Sequence, residues 1–222
     1  MPVADPQATA AKAIAELKRL ANPKIRAGMV RFGIPSHKAL GISVGTLQQL
    51  ARKMGRSQEV AELLWKTDVY EARLLAAFVG EPSKLTTAGM DRWCRGFDNW
   101  AVVDTVCFKL FDQSPLAWGR VKPWARHRGE FQRRAGFVLL ACLAAHADPD
   151  DADLLRHLPL IEWGAADERN YVRKGVSWAL RMFGRKSPAV RRAALATARK
   201  LADSENATAR WVGKDALRDL KA

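Results

Sequence analysis

The sequence predicts an all-α fold in which short antiparallel helices stack in pairs. Apolar residues recur at helical spacing throughout the chain, whereas strand signals such as a long alternating Val/Ile/Thr run or an Asn-Gly turn are almost absent. From about residue 57 the expected helix starts recur in pairs of roughly 35–45 residues, a period typical of HEAT-like repeats. We therefore expect a HEAT-like solenoid with a concave face. A compact multi-helix bundle is the alternative fold.

Capping residues indicate where the helices begin. Ser, Thr, Asp and Asn stabilise helix starts because their side chains accept hydrogen bonds from free backbone N–H groups. In Ser114-Pro115 and Ser187-Pro188 the cap is followed by proline, which suits the first helical position. The expected starts lie near Asp5, Asn22, Ser43, Ser57, Asp68, Thr86, Asp98, Ser114, Glu130, Asp150, Asp167, Ser187 and Asn206.

The length of 222 residues and the apolar content of 48% suit a globular chain, and we expect a single domain over residues 1–222. No apolar run approaches the roughly 18 residues that span a bilayer, so no membrane partner is expected. The segment Met1–Ala15 lacks the pattern of a secretory signal. These features lead us to expect a cytoplasmic protein.

Cysteine and histidine usage argues against a metal site. The three cysteines are widely spaced in apolar helical segments, which is typical of buried free thiols in a reducing compartment. The four histidines are scattered, whereas a zinc site needs clustered ligands. Gly-rich phosphate loops and Ser/His/Asp arrangements are not evident. The residues concerned are Cys94, Cys107, Cys142, His37, His127, His146 and His157.

The charge of the chain is strongly positive and unevenly distributed. The formal net charge is +14, which attracts polyanions such as nucleic acid or an anionic membrane surface. The segment Arg169–Lys200 contains ten Lys or Arg residues and no acidic residue, and Arg120–Arg134 contains six against Glu130 alone. A basic surface that serves only solubility is the alternative. Because the charge is concentrated, we expect a basic concave face that fits duplex DNA.

The segment Tyr171–Phe183 predicts an amphipathic helix with an aromatic residue among cations. Each residue advances about 100° around a helix, which separates two faces. An aromatic side chain between basic residues can contact sugars or bases while the cations hold phosphates. The alternative is that another helix buries Trp178. The apolar face is Val172, Val176, Ala179, Leu180 and Phe183, and the opposite face is Tyr171, Lys174, Trp178, Arg181 and Arg185.

A carboxylate and an indole share one edge of a second helix. Trp100 and Asp104 are four residues apart, beside a stripe formed by Val103, Val106, Cys107 and Leu110. A carboxylate fixed beside a sugar can stabilise the positive charge that develops when an N-glycosidic bond breaks, or orient the attacking water. The alternative is that Asp104 accepts a hydrogen bond from a neighbouring helix.

Two adjacent arginines differ in their predicted surroundings. Arg134 lies on the edge of the apolar stripe of its helix and therefore needs an anion, either a carboxylate or a phosphate. Arg133 points away from that stripe and is interpreted as a solvated charge. The remaining tryptophans are interpreted mostly as packing residues. These are Trp65, Trp93, Trp118, Trp124, Trp163 and Trp211.

Together these segments carry a family resemblance. The chain resembles the AlkD-type DNA alkylation repair glycosylases, which are built of HEAT-like repeats. No single motif is strong, but the set runs in family order over nearly the whole chain. The matching pieces are Met29–Gly33, Leu40–Ile42, Asp98–Trp100 with Asp104, Arg133–Ala135 and Tyr171–Arg181.

The resemblance implies an activity as well as a fold. It implies a glycosylase that excises positively charged N3- and N7-alkylpurines from duplex DNA, and so initiates base excision repair, without flipping the base into a pocket. It further implies no metal or organic cofactor, a monomer, and association with the nucleoid. A non-catalytic binder of DNA structures on the same scaffold is one alternative, and a HEAT-type protein–protein adaptor is another.

The resemblance also assigns roles to residues. Asp104 is implied as the catalytic carboxylate, Trp100 and Trp178 as aromatic walls against the deoxyribose, and Arg134 as a phosphate contact. Further DNA contacts are implied at Phe32, Tyr171, Lys174 and Arg181. The chain departs from the family at two positions, because Phe32 stands where tyrosine is usual and Ala101 replaces a common acidic residue.

Overall fold

The structure is a computed structural model that describes residues 5–220. These residues form α-helices and short 3-10 helices, with no β-strand in the described range, which confirms the predicted all-α class. No helix within that range is both long and apolar enough to cross a bilayer. The chain divides into two compact units, with unit 1 ending at Ser114 and unit 2 beginning at Pro115. The single domain over residues 1–222 and the concave basic face stay predictions.

Unit 1 contains the first seven helices and the 3-10 helices of the described residues. The helices are α1 (Pro6–Arg19), α2 (Pro23–Gly28), α3 (Val44–Met54), α4 (Gln58–Lys66), α5 (Tyr70–Val79), α6 (Thr87–Arg95) and α7 (Trp100–Lys109). The 3-10 helices are Val30–Phe32, Ser36–Lys38, Pro82–Lys84 and Phe111–Gln113.

Helix α5 is the centre of unit 1 and packs against α1, α3, α4 and α7. Nearly every residue of α5 is buried, including the charged Glu71 and Arg73. The uninterrupted apolar run Leu74–Val79 accounts for this, because a helix that is apolar on all sides is stable only inside a protein. The short link of residues 67–69 reverses the chain, so α4 and α5 form an antiparallel pair.

Unit 2 contains the remaining helices and repeats this plan. The helices are α8 (Trp118–Ala125), α9 (Glu130–His146), α10 (Asp151–Leu155), α11 (Leu158–Gly164), α12 (Asn170–Phe183), α13 (Pro188–Ala202) and α14 (Ala207–Leu220). Helix α9 is buried from Arg134 to Ala144 and packs against α8 and α12, while α13 pairs with α14.

The helix starts agree with the capping prediction at most positions. The side chains of Asp5, Asn22, Ser43, Ser57, Thr86, Ser187 and Asn206 each accept a hydrogen bond from a backbone N–H of the following helix. The prediction at Ser114 is wrong. Its N–H donates to the carbonyl of Phe111 and closes a 3-10 turn, so α8 begins only at Trp118.

The region after Asp150 also departs from the prediction, because it forms two short helices, α10 and α11, where one start was expected. The His157 ring Nδ1 lies 2.6 Å from the carbonyl oxygen of Asp153, between the two helices. Pro159 then occupies the first turn of α11, where proline is tolerated. The start of helix α11 was therefore not predicted from the sequence.

The predicted state of the cysteines is confirmed. Cys94, Cys107 and Cys142 are buried and form no disulfide bond. Burial raises the pKa of the Cys94 thiol far above its ordinary value, because the thiolate is disfavoured in apolar surroundings.

Close approach of α8 to α9 depends on Gly136. A Cβ at this position would collide with the backbone of Ala125 and lie 2.6 Å from its Cα. Gly136→Ala should therefore destabilise the protein by about 1–3 kcal/mol, because the helices must separate. Gly119→Ala on α8 is the control, since its Cβ meets nothing within 4 Å, and it should be neutral or stabilising by up to ~1 kcal/mol. Urea denaturation measures both, and equal effects would contradict the packing argument.

Candidate functional site

The start of α7 is fixed by Asn99, which is only 3% exposed. Its side-chain oxygen accepts the Val102 N–H at 3.0 Å, and its amide nitrogen donates to Asp98 Oδ1 at 2.8 Å. Both ends of the amide are therefore bound, which leaves the side chain one orientation. As a result Trp100 becomes the first residue of α7, in a defined position.

Trp100 is joined to the segment that contains Phe32. The indole Nε1–H donates to the carbonyl oxygen of Phe32 at 2.7 Å. Trp100 is half-buried, whereas Phe32 is 56% exposed and has the Arg31 guanidinium 4.8 Å from its ring centre. The structure thus brings together two predicted site residues that are 68 positions apart. The contact uses the Phe32 backbone, so it does not depend on the tyrosine hydroxyl that this chain lacks.

Asp104 lies one turn after Trp100 on α7 and is half-buried. The stripe beside it is formed as predicted, because Val103, Val106 and Cys107 have no exposed surface. Residues four apart on a helix are neighbours. Trp100 and Asp104 are therefore adjacent at the boundary between the buried stripe and the surface.

Behind the start of α7 lies a cluster of four charged residues, Lys38, Asp68, Arg73 and Asp98. Lys38 Nζ lies 2.8 Å from Asp68 and 2.9 Å from Asp98, and Arg73 lies 2.5 Å from Asp68 and 3.5 Å from Asp98. Burial opposes ionisation of Asp68, but the Lys38 and Arg73 charges outweigh it and hold the pKa of Asp68 below its ordinary value. Lys38 and Arg73 thus hold Asp98 in place against Asn99.

A buried carboxylate fixes the chain that leads from Phe32 to the core. Glu71 accepts the N–H groups of Leu40, Gly41 and Ile42 at 2.8, 2.6 and 3.2 Å. Such a row of backbone donors is a natural anion site. Gly41 has φ +86°, and a Cβ there would collide with the Asn22 carbonyl, so only glycine fits. This accounts physically for the Leu40–Ile42 motif.

In unit 2, Arg134 is held by the protein itself. It is 6% exposed, and its Nη1 donates to the Tyr171 carbonyl at 2.7 Å. The Tyr171 N–H donates to Glu130 Oε1 at 3.0 Å, so α9 holds both backbone groups of Tyr171. A Cβ at Gly175 would lie 3.5 Å from Arg134 Cγ, which is an ordinary van der Waals contact, so the arrangement does not require glycine at this position.

The two predicted faces of α12 are confirmed for most residues. Val172, Val176, Ala179, Leu180 and Phe183 have no exposed surface. On the other face Lys174 is exposed, while Tyr171 and Trp178 are half-buried.

Arg181 and Arg185 are less free than the sequence suggested. Asp219 on α14 lies 3.5 Å from Arg181 and 2.9 Å from Arg185. A phosphate contact by Arg181 must therefore compete with this carboxylate.

The interpretation of Arg133 as a solvated charge is wrong. Its Nη1 lies 2.7 Å from Asp167, and its Nε donates to the His127 carbonyl at 2.8 Å. Asp167 also pairs with Arg169 at 2.5 Å. Burial opposes its ionisation, but the hydrogen bonds from Arg169 and Arg133 hold the pKa of Asp167 below its ordinary value. The partner of Arg133 comes from a distant turn, which helical periodicity does not reveal.

The predicted site residues thus fall into two groups. Phe32, Trp100 and Asp104 are brought together in unit 1, and Arg134 and Tyr171 in unit 2, where Lys174, Trp178 and Arg181 lie on the following turns of α12. Cationic and aromatic side chains on an all-helical, strongly basic chain are the features of a helical DNA-binding protein.

The comparisons with known proteins identify the family. The family described as DNA alkylation repair enzyme matches residues 13–220, and the chain belongs to this family. Its members act in DNA repair, and DNA is accordingly the partner of this chain. Among curated proteins, none matches the chain in sequence at a significant level.

One similar solved structure is described as "A new family of proteins related to the HEAT-like repeat DNA glycosylases with affinity for branched DNA structures". It matches with a TM-score of 0.75 and 17% sequence identity, and the match covers 93% of each chain. The likeness confirms the predicted HEAT-like repeat fold.

Asn99 is a buried helix cap and Asn206 an exposed one, so replacing them by alanine should lower the stability of the protein by different amounts. Asn99→Ala removes the bond to Val102 and leaves Asp98 without its amide donor, and should destabilise the protein by about 2 kcal/mol. Asn206→Ala removes an exposed cap of α14 and should cost about 1 kcal/mol or less. Chemical denaturation followed by circular dichroism compares them. A smaller loss for Asn99→Ala than for Asn206→Ala would show that the Asp98–Asn99 bond does not stabilise α7.

Proposed function

We propose that this chain is a DNA glycosylase that hydrolyses the N-glycosidic bond of positively charged N3- and N7-alkylpurines in duplex DNA and so initiates base excision repair. The observation that carries the proposal is the arrangement on α7. Trp100 is held by its indole N–H beside the exposed Phe32, and Asp104 follows one helical turn later. An aromatic plane and an adjacent carboxylate suit a deoxyribose that becomes positively charged.

The reaction needs little from the protein beyond charge stabilisation. Alkylation at N3 or N7 makes the purine cationic, so the base leaves with the electron pair of the C1′–N bond and becomes neutral without acid catalysis. Positive charge moves to the deoxyribose, where the Asp104 carboxylate stabilises it. Water adds to C1′ and releases one proton, which Asp104 accepts or passes to solvent. Hydrolysis of such a leaving group requires no cofactor, and we propose none.

The remaining site residues hold the DNA around the lesion. We assign Trp100 in unit 1 and Trp178 in unit 2 each to contact with a deoxyribose, and Arg134 in unit 2 to a phosphate. The bond from Arg134 to the Tyr171 carbonyl supports this role, because a guanidinium that is already oriented loses little entropy on binding. Exposed Lys174 is assigned to a neighbouring phosphate. The proposal includes extraction of the base without a pocket, action as a monomer, and a cytoplasmic location at the nucleoid.

A second candidate is a non-catalytic protein that binds DNA structures. It is favoured by the similar structure that is described as having affinity for branched DNA. The cations of unit 2 would serve this function as well as catalysis. The two candidates differ at Asp104, which a pure binder does not need.

Asp104→Asn separates the two candidates. It keeps the size and polarity of the side chain but removes the charge, so excision should fall by about 100-fold or more while binding of duplex DNA is retained or slightly tightened. The measurement is release of free 7-methylguanine from methylated duplex DNA, with electrophoretic mobility shift for binding. Asp203→Asn is the control, since that carboxylate is exposed on the other unit, and it should behave as the wild type.

Two outcomes contradict the proposal. Excision by Asp104→Asn at the wild-type rate removes Asp104 from the chemistry. No release by the wild type, together with tight and salt-dependent binding, establishes the second candidate instead.

Removing a cation from α12 or from α9 should have different effects on DNA binding and on folding stability. Lys174→Ala should weaken binding uniformly across DNA sequences and lower the slope of log K against log salt by about 0.9, with unchanged folding stability. Arg134→Ala should lower the slope similarly but also destabilise the fold, because it leaves the part-buried Tyr171 carbonyl without its donor. Lys53→Ala removes an exposed lysine to which no DNA contact is assigned, and it should leave the slope unchanged. An unaltered slope for either unit 2 variant excludes that residue from phosphate contact.

A further inference from the structure

Trp163 lies on the surface of α11, where the sequence predicted a packing residue. It is 48% exposed, and among the described residues of unit 2 it is the one large hydrophobic side chain with that degree of exposure. The prediction of a packing role for Trp163 is therefore wrong. An indole left in solvent without a partner loses the stabilisation that burial would provide. The Trp163 ring is instead contacted by charged side chains.

Two arginines from other elements lie over the Trp163 ring. The Arg133 guanidinium is 5.1 Å from the ring centre and the Arg126 guanidinium 5.9 Å. Arg133 is fixed by its bonds to Asp167 and the His127 carbonyl, so it supports the indole from a rigid position. The ring is therefore oriented although much of its surface is free.

The loop that carries Arg126 is also ordered. Arg169 Nη1 donates to the Arg128 carbonyl at 2.6 Å, and the Gly129 N–H donates to His127 Nδ1 at 3.0 Å. The side chains of Arg126 and Arg128 are exposed, and neither forms an ion pair with a carboxylate of the described residues. Arg126 and Arg128 thus place two positive charges near the indole that no acidic side chain of the described residues pairs with.

The acidic residues near Trp163 are occupied by other cations or donors. Glu162 lies 2.7 Å from Lys200, and Asp167 pairs with Arg133 and Arg169. Glu130 accepts the Tyr171 N–H. Glu168, five residues after Trp163, is exposed. The patch around Trp163 is therefore aromatic and cationic, a combination that matches the base and the phosphates of a nucleotide.

We infer that Trp163, Arg126 and Arg128 form a binding site for unpaired nucleotides of DNA, with a base stacked on the indole and the flanking phosphates on the two arginines. Inside a duplex both faces of each base are covered by its neighbours, and only the terminal base pairs have one open face. An exposed indole therefore finds a fully accessible base in a single-stranded tail, gap or branch. The site accordingly selects DNA with a single-stranded segment. It goes beyond the proposed excision of bases from duplex DNA, and it rests on DNA as the partner and not on glycosylase activity.

The test compares two dye-labelled DNAs with the full chain. One is a blunt duplex, and the other is the same duplex with a single-stranded tail of ten thymidines. The wild type should bind the tailed DNA more tightly, and Trp163→Ala should reduce that preference by about fivefold or more, the loss of one stacked base. Trp163→Phe should restore most of it, because a phenyl ring also stacks. Fluorescence anisotropy gives both dissociation constants.

Matched variants distinguish the contribution of the two arginine charges to binding from that of the indole ring. Arg126→Ala with Arg128→Ala should lower the salt slope for the tailed DNA by about 1.4, since each phosphate contact to a single strand contributes about 0.7. Arg52→Ala, which removes one exposed charge from unit 1, should not alter the tail preference. The inference is overturned if the wild type binds both DNAs equally, if Trp163→Ala keeps the full preference, or if it weakens both DNAs by the same factor. The excision assay is independent, so its failure leaves this test intact.

Discussion

Each unit of this protein is built around a helix that is buried nearly everywhere, and such a helix must satisfy every charge it brings into the interior. Helix α5 carries Glu71 and Arg73, and helix α9 carries Arg134. An unpaired buried charge costs several kcal/mol, so each of these residues must find partners. Glu71 finds three backbone N–H groups, Arg73 finds two aspartates, and Arg134 finds a backbone carbonyl.

The partners that satisfy these charges belong to the segments that carry the candidate site. Glu71 fixes the residues that follow Phe32, and Arg73 helps to fix Asp98, which in turn binds Asn99 before Trp100. In unit 2 the same logic holds, since Arg134 binds the backbone of α12 at its first turn. Core packing and site geometry are therefore linked in this fold, because the groups that bind the buried charges lie in the segments of the candidate site or next to them.

The sequence was most informative where the determining interactions are local. Caps act within three residues, so Asn22, Ser57 and Ser187 marked their helices correctly, and periodicity assigned the buried face of α12. Prediction from the sequence failed where the surroundings of a residue depend on a partner that is distant in the sequence. The Asp167 that binds Arg133 is 34 residues away, and no periodicity within one helix could reveal it. The positions of Phe32 and Trp100 relative to each other likewise depend on a backbone carbonyl, which has no signature in the sequence.

The distribution of carboxylates decides which cations are available to DNA. The chain has 37 basic and 23 acidic residues, and several of the acids pair with cations of the protein itself. Asp219 pairs with Arg181 and Arg185, Asp167 with Arg169, and Glu162 with Lys200, so four of the ten cations in the run Arg169–Lys200 already have an acidic partner. A count of charges along the sequence therefore overstates the binding surface. Among the cations that stay in solvent, Arg126 lies beside the exposed Trp163 ring and Lys174 lies on the face of α12 opposite its buried stripe. At these positions phosphate and base can be contacted together.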